Sequence, residues 1–321
     1  MAVYQFKVYR DTKDGQIIET VTEKPPLFGD QILLSITHSG VCGTDEHVLP
    51  YGIALGHEGV AVVKDLGPEV KTLKACLKGF EIRCESSEGF RYAEGFFDSG
   101  SFATHAIRQE AFVYRIPAAL TSAHAAPLLC GGITVWASLN EGSLNVTDTI
   151  GIVGIGGSGH LAIQFDKAMG HRVIVFNRTG SKKEEAMKLG ATEFVSTKGK
   201  TELAVGFKID RLLVTGSHNS DWSLFLPIMN PESKVYLMTV VGMDTKLDLP
   251  HMLLLAKDIN IIFPAPRKIQ YSEMLAFAAL YSIAPIVERD ELSAKGISKS
   301  LEKLRLGQTR YRGVWYVAGE S

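Results

Sequence analysis

The chain has 321 residues, 45% hydrophobic and 21% charged, with 34 Lys and Arg against 35 Asp and Glu for a formal net charge of −1. That length is enough for two domains, each with its own core, and the balanced charge gives no general attraction to nucleic acid or acidic membranes. No apolar run approaches the about 20 residues needed to span a bilayer, the first residues lack the apolar core of a secretory signal, and four cysteines do not make a disulfide framework in a chain this long. A cytoplasmic protein is expected, its cysteines serving as metal ligands or buried thiols.

Residues 1–118 are rich in β-branched residues, Gly and Pro, with short alternating runs at 31–36 and 60–63 and turns at Pro25-Pro26 and Gly67-Pro68. A β-rich, barrel-like domain is predicted there. From Thr149 the texture changes. Residues 149–153 read as a buried strand running straight into the turn Gly154-Ile155-Gly156-Gly157-Ser158-Gly159, and the helix after it sets Leu161, Phe165 and Ala168 on one face. A strand at 172–176, a helix at 181–189 and strands at 210–214 and 234–238 continue the alternation, which implies a parallel sheet covered on both faces. After Pro264-Ala265-Pro266 come two amphipathic helices, one presenting Met274, Phe277, Ala278 and Tyr281, the other Ile297, Leu301 and Leu304. The last strand, 313–317, is expected to return to the first domain.

Four residues sit in motifs that give them chemistry: Cys42 in Gly40-Val41-Cys42-Gly43-Thr44-Asp45-Glu46-His47, His57 and Glu58 in Gly56-His57-Glu58-Gly59, and Cys130 in Pro127-Leu128-Leu129-Cys130-Gly131-Gly132. Two thiolates and one imidazole from separate segments make a three-ligand zinc site with an open fourth position, as a Lewis-acid zinc requires. Singly, a Cys or His in a core is ordinary packing, and Cys130 alone reads as a buried apolar residue; their joint occurrence favours the metal. The turn is of the kind that seats a dinucleotide, with Gly154, Gly156, Gly157 and Gly159 letting the backbone approach a pyrophosphate at a helix N-terminus. Metal plus nicotinamide points to hydride transfer to or from an alcohol or carbonyl.

The second strand of this region ends Val175-Phe176-Asn177-Arg178-Thr179-Gly180-Ser181-Lys182. An acidic residue at that place would accept hydrogen bonds from the ribose hydroxyls of NAD. With Asn177 there instead, Arg178, Ser181 and Lys182 favour a 2′-phosphate and hence NADP(H). A solvated surface side chain is the plainer reading of any one of them.

These motifs, in this order and with Gly100-Ser101-Phe102-Ala103, Ala126-Pro127 and Arg310-Tyr311-Arg312 besides, resemble the zinc-dependent medium-chain alcohol dehydrogenases nearly end to end. The resemblance is to the branch that includes cinnamyl-alcohol-type and fungal alcohol dehydrogenases. It implies an α/β chain: a Rossmann-type doubly wound parallel sheet in 119–264 and a β-rich GroES-like barrel domain in 1–118, completed by 265–321. It also implies that Cys42, His57 and Cys130 bind the catalytic zinc and that Glu58 is a carboxylate able to approach the metal when substrate leaves. Thr44 and His47 take the places of the proton relay, and Asp45 orients His57. A hydroxyl two residues after a ligand is placed to pass a proton outward to an imidazole, and a carboxylate behind a ligating imidazole holds its orientation. The plainer readings are a surface histidine at His47 and a structural carboxylate at Glu58. By the same likeness Arg312 contacts the pyrophosphate and Thr134 lies beside the nicotinamide; a surface arginine and a packed β-branched residue are the alternatives. Trp136, Phe97 and Leu49 are candidate pocket residues. Relatives commonly dimerise through the sheet of the cofactor domain, so a homodimer is expected.

The sequence departs from the family in one place. Members with a structural zinc carry a lobe of four closely spaced cysteines after a Gly-Asp-x-Val strand, whereas here Lys71-Thr72-Leu73-Lys74-Ala75 runs directly into the segment holding Cys76 and Cys84. Two thiolates do not close a tetrahedral structural site, so no structural zinc is expected and Cys76 and Cys84 are read as free thiols. The missing strand implies either a locally rebuilt barrel or a shortened chain of impaired activity. The function expected is an NADP(H)-linked, zinc-dependent alcohol dehydrogenase or aldehyde reductase. The alternatives are reduction of an activated C=C or C=N bond and a non-catalytic NADPH-binding relic; the presence of Thr44 and His47 favours carbonyl chemistry.

Overall fold

The computed structural model describes residues 3–12, 14–49, 52–71, 100–142, 144–216, 220–238 and 246–318. Its strands in chain order are β1 Tyr4–Asp11, β2 Ile17–Lys24, β3 Gln31–Val41, β4 Glu58–Leu66, β5 His105–Gln109, β6 Thr149–Val153, β7 Arg172–Asn177, β8 Glu193–Ser196, β9 Ile209–Val214, β10 Met229–Leu237, β11 Asn260–Ile262, β12 Val287–Glu291 and β13 Arg312–Tyr316. The helices are α1 Gly43–His47, α2 Ser122–Pro127, α3 Ile133–Leu139, α4 Gly159–Met169, α5 Lys183–Leu189, α6 Trp222–Phe225, α7 His251–Lys257, α8 Lys268–Leu280 and α9 Ala294–Arg305. They fall into two compact units, Met1–Cys130 with Tyr271–Ser321, and Gly131–Gln270.

In the first unit β3 is the organising strand. One of its edges pairs antiparallel with β4 from Ile32↔Leu66 to Gly40↔Glu58. The other edge is shared: its first half pairs with β5, from Gln31↔Gln109 to Ser35↔His105, and its second half with β13, from Tyr316↔His38 to Gly313↔Val41. The chain's last strand thus joins the first unit. With both edges occupied and α2 packed against it, β3 is buried through most of its length, where the run 31–36 predicts alternation. β12 adds to β13 in parallel. Ile297 and Leu301 of α9 pack with Tyr9, Val41, Leu55, Phe102 and Trp315. The pair Met274 and Ala278 of α8 is buried, but the helix ends at Leu280, so Tyr281 falls past it and is exposed.

The second unit is a six-stranded parallel sheet in the order β8-β7-β6-β9-β10-β11. Counted from the strand that enters the glycine turn, this is the 3-2-1-4-5-6 order of a doubly wound dinucleotide fold, with its switch point between β6 and β9. Apolar runs buried on both faces make these strands, as in Ile150, Ile152, Val173, Ile174, Val175 and Phe176. The helix predicted at 181–189 begins with a 3₁₀ turn, Gly180–Lys182, before α5. Helix α4 buries Leu161, Ala162, Ile163 and Phe165, and its C-terminus stops at Gly170 in the left-handed conformation.

Phe165 is fully buried and meets Trp136 edge to face with centroids 5.9 Å apart. Truncating a buried aromatic of this kind costs about 3–5 kcal/mol. Phe165→Ala is therefore expected to lower the unfolding free energy of the second unit, read from its urea transition, by that much; an unchanged transition would mean that α4 is not anchored this way.

Candidate active site

The strand register alone brings the first group of residues together. Since Gly313 pairs with Val41 and Gly40 with Glu58, Arg312 at the head of β13, Cys42 just past the end of β3 and His57 just before β4 lie level across three adjacent strands. Cys130 arrives from elsewhere. It sits in the widened π turn Leu128–Gly132 between α2 and α3, a distortion that follows Pro127, whose missing N–H cannot continue the helical bonding.

The ligand atoms of Cys42, His57, Glu58 and Cys130 all lie within 4.8 Å of one another. The two sulfurs are 3.8 Å apart, and two sulfurs each about 2.3 Å from a tetrahedral zinc stand about 3.8 Å apart. His57 Nε2 is buried with no hydrogen-bond partner and lies 3.7 Å from Glu58 Oε1. An orphaned imidazole nitrogen beside two sulfurs at that separation is what a zinc ion would fill, so the residues fit the metal.

Behind the ligands stands Asp45, 1% exposed. Its Oδ2 accepts from the Cys42 backbone N–H at 2.9 Å, its Oδ1 from the Gly56 N–H at 3.2 Å, and the same Oδ1 lies 2.9 Å from His57 Nδ1. One carboxylate thereby ties both ligand segments together and leaves Nε2 of His57 to face the metal position. Burial by itself would lower the imidazole; the charge and hydrogen bond of Asp45 outweigh it and hold His57 well above its ordinary range. Between the thiols, the hydrogen bond from Cys130 pulls Cys42 well below its usual value, and the same bond pushes Cys130 up.

Glu58 is fully buried, and burial pushes it up to about 7 against the opposing pull of Arg312. Arg312 donates through Nη2 to Glu58 Oε1, and with only 6% of its surface exposed it sits as deep as the carboxylate it neutralises. The sequence reading, by family likeness, gave Arg312 a pyrophosphate contact; in the structure its guanidinium is paired with Glu58 inside the first unit. Room for the Glu58 carboxylate comes from Gly40 across the ladder: a Cβ there would lie 1.9 Å from Glu58 Oε2. Sequence reasoning singled out neither the pair nor the role of Gly40, although a glycine ending an apolar strand is the signal for such close approach.

Thr44 and His47 both lie on α1, exposed, with Thr44 Oγ1 3.7 Å from Cys42 Sγ. In the second unit, Gly154 follows β6, and a Cβ on Gly159 would lie 2.0 Å from the Gly154 carbonyl oxygen, so only glycine lets α4 start here. A Cβ on Gly156 would instead enter open space, the space a pyrophosphate needs in front of the backbone; Gly157 follows it in the same turn. At the end of β7, Asn177 Nδ2 donates to Thr179 O at 3.0 Å, and the hydroxyls of Thr179 and Ser181 are 2.9 Å apart. Arg178 is exposed beside them, while Lys182 reaches back to the glycine turn and donates to Ile155 O at 2.6 Å. Thr134 is the second residue of α3, its carbonyl accepting from Ser138. Of the pocket candidates, Trp136 is buried against Phe165, Leu49 packs on the cluster around Phe102 and Trp315, and Phe97 lies outside the described residues, as do Cys76, Cys84 and the place of the missing strand.

Residues 29–118 match the family model of the alcohol dehydrogenase GroES-like domain, and residues 157–279 that of the zinc-binding dehydrogenases. The chain is 31% identical to probable cinnamyl alcohol dehydrogenase 8A of Oryza sativa subsp. japonica, over 90% of this chain and 89% of that protein. It is 28% identical to aldehyde reductase AdhA of Synechocystis sp., over 90% and 91%. Among solved structures, the cinnamyl alcohol dehydrogenase SbCAD4 of Sorghum bicolor superposes with a TM-score of 0.84 at 26% identity, covering 100% of this chain and 99% of that one. The fold is shared too with the CAD of Helicobacter pylori complexed with NADP(H), at a TM-score of 0.85 and 21% identity over 98% and 99%. With relatives matched along nearly the whole length and family models met in both halves, the chain belongs to the zinc-dependent medium-chain alcohol dehydrogenases.

Proposed function

We propose that this protein interconverts a small-molecule aldehyde and its alcohol with NADP(H), at one zinc held by Cys42, His57 and Cys130. The observation that carries the reading is the orphaned, buried Nε2 of His57 facing two sulfurs at tetrahedral separation. Two thiolates and one imidazole with a fourth place left open is the set known for catalytic zinc in alcohol dehydrogenases. When bound, the metal supplies Lewis acidity toward the substrate oxygen and the nicotinamide gives or takes the hydride.

The chain's own residues do the rest. Asp45 holds His57 in one orientation; Glu58 and Arg312 cancel each other's charge beneath the metal position, so that the buried centre carries no uncompensated carboxylate. Thr44 and His47, both exposed on α1, are assigned the relay that carries the hydroxyl proton outward. The first unit, Met1–Cys130 with Tyr271–Ser321, serves as the catalytic domain and the second, Gly131–Gln270, as the dinucleotide domain, each boundary a few to a dozen residues from the 118/119 and 264/265 expected from sequence, and Gly154, Gly156, Gly157 and Gly159 receive the pyrophosphate. Asn177 in place of an acid, with Arg178, Ser181 and Lys182 around it, supports a 2′-phosphate. Thr134 and Arg312 are assigned to the cofactor by family likeness.

Strand β11, one of the two edge strands of the six-stranded sheet among the described residues and flanked in sequence by the exposed Met252, Leu255 and Phe263, supports a homodimer formed by a second copy adding there. No helix among the described residues is long and apolar enough to cross a membrane, and cysteines used as ligands fit a reducing cytoplasm.

Zinc-loaded protein is expected to oxidise NADPH in the presence of aldehydes and to use NADH poorly. Arg178→Ala should raise KM for NADPH about tenfold, the worth of one charge-assisted hydrogen bond, and leave NADH kinetics unchanged; equal loss with both cofactors would count against a 2′-phosphate site. Asp45→Asn should weaken zinc binding by about 10–100-fold in chelator competition, and unaltered affinity would remove Asp45 from the centre.

A further inference from the structure

The glycine turn is held from a side that no sequence motif marks. Thr215 follows β9 directly, across the switch point from β6, and is 7% exposed. Its backbone N–H donates to Val153 O at 3.0 Å, continuing the β6–β9 ladder by one residue. Its hydroxyl is shared between Val153 O at 3.0 Å and Gly154 O at 3.1 Å. The same oxygen stands 2.8 Å from where a Cβ on Gly159 would be, so it fills the corner that both glycines leave open.

Peptide planarity turns this contact into an orientation. In a trans peptide the C=O and the following N–H point in opposite directions. Drawing the Gly154 carbonyl toward Thr215 therefore aims the Ile155 N–H away from β9. The next plane is fixed likewise, because Ile155 O accepts from Lys182, which sends the Gly156 N–H the other way, on the residue whose Cβ would meet nothing within 4 Å. Consecutive N–H groups aimed by held carbonyls are a preorganised anion cradle.

We propose that Thr215 is a positioning residue for the dinucleotide: its hydroxyl sets the tilt of the Gly154–Ile155 peptide and so presents the turn's N–H groups to the pyrophosphate. The proposal rests on the reading of the second unit as the dinucleotide domain. Because the pyrophosphate is common to both nicotinamide cofactors, the effect is blind to the 2′-phosphate, unlike that of Arg178.

The test is to titrate zinc-loaded wild type, Thr215→Val and Thr215→Ser with NADPH and with NADH, following protein fluorescence, and to compare zinc content and thermal midpoint alongside. Thr215→Val should weaken both cofactors by a similar factor, about three- to tenfold, the range of one hydrogen bond, raising KM for cofactor while kcat and zinc content stay put. Thr215→Ser, which keeps the hydroxyl, should recover binding to within about twofold. Undiminished binding by Thr215→Val, a loss confined to NADPH, or a Ser variant as weak as Val would each overturn the positioning role. Wild type that binds neither cofactor would overturn the dinucleotide reading itself, and this proposal with it.

Discussion

Three strand ends held level by the β13-β3-β4 ladder put Arg312, Cys42 and His57 side by side, and almost everything about the centre follows from that register. A one-residue slip of β4 against β3 would send Glu58 to the opposite face and carry Gly40 away from it. The ladder is held firmly because β3 is paired on both edges and buried along its length, so its position does not depend on the metal site. Of the candidate ligands, Cys130 owes its place to a helix irregularity instead, the π turn after Pro127.

Burying a carboxylate and a guanidinium next to two thiols is costly unless their charges cancel. Glu58 with Arg312 forms one neutral pair, and two thiolates with a divalent cation would form another. Removing either member of the first pair leaves the other buried without its compensating charge. The same logic explains why Asp45, also buried, makes three polar contacts: it is compensated by two backbone donors and an imidazole.

Much of the second unit was legible from residues alone, because a parallel sheet buried on both faces leaves continuous apolar runs such as 149–153 and 172–176, each closed by a turn or helix signal. The first unit was less so. β12, with the sequence Val-Glu-Arg-Asp-Glu, carries no apolar period and is a strand only because it adds to β13. The helix α8 is apolar around much of its circumference, leaving Ile269 and Leu280 exposed, so its sequence carries no single inward face, and Tyr281 lies past its end. At the site, the ligands and the glycine turn announce themselves through short motifs. The Glu58–Arg312 pair joins positions 254 residues apart, and the Thr215 contact joins two strands across the switch point; neither has a local sequence signature, since each exists only once the sheet is assembled.

Cys42, His57 and Cys130 are proposed to enclose one tetrahedral metal with a fourth place open. Replacing the metal with cobalt(II) and recording the visible spectrum addresses it most directly, since thiolate ligation gives charge-transfer bands and tetrahedral geometry gives intense d–d bands. The structure predicts both, with the charge-transfer band falling by about half in Cys130→Ser, when one of the two thiolates is lost. A weak octahedral spectrum without charge transfer, or one unaltered by that substitution, would contradict the assignment.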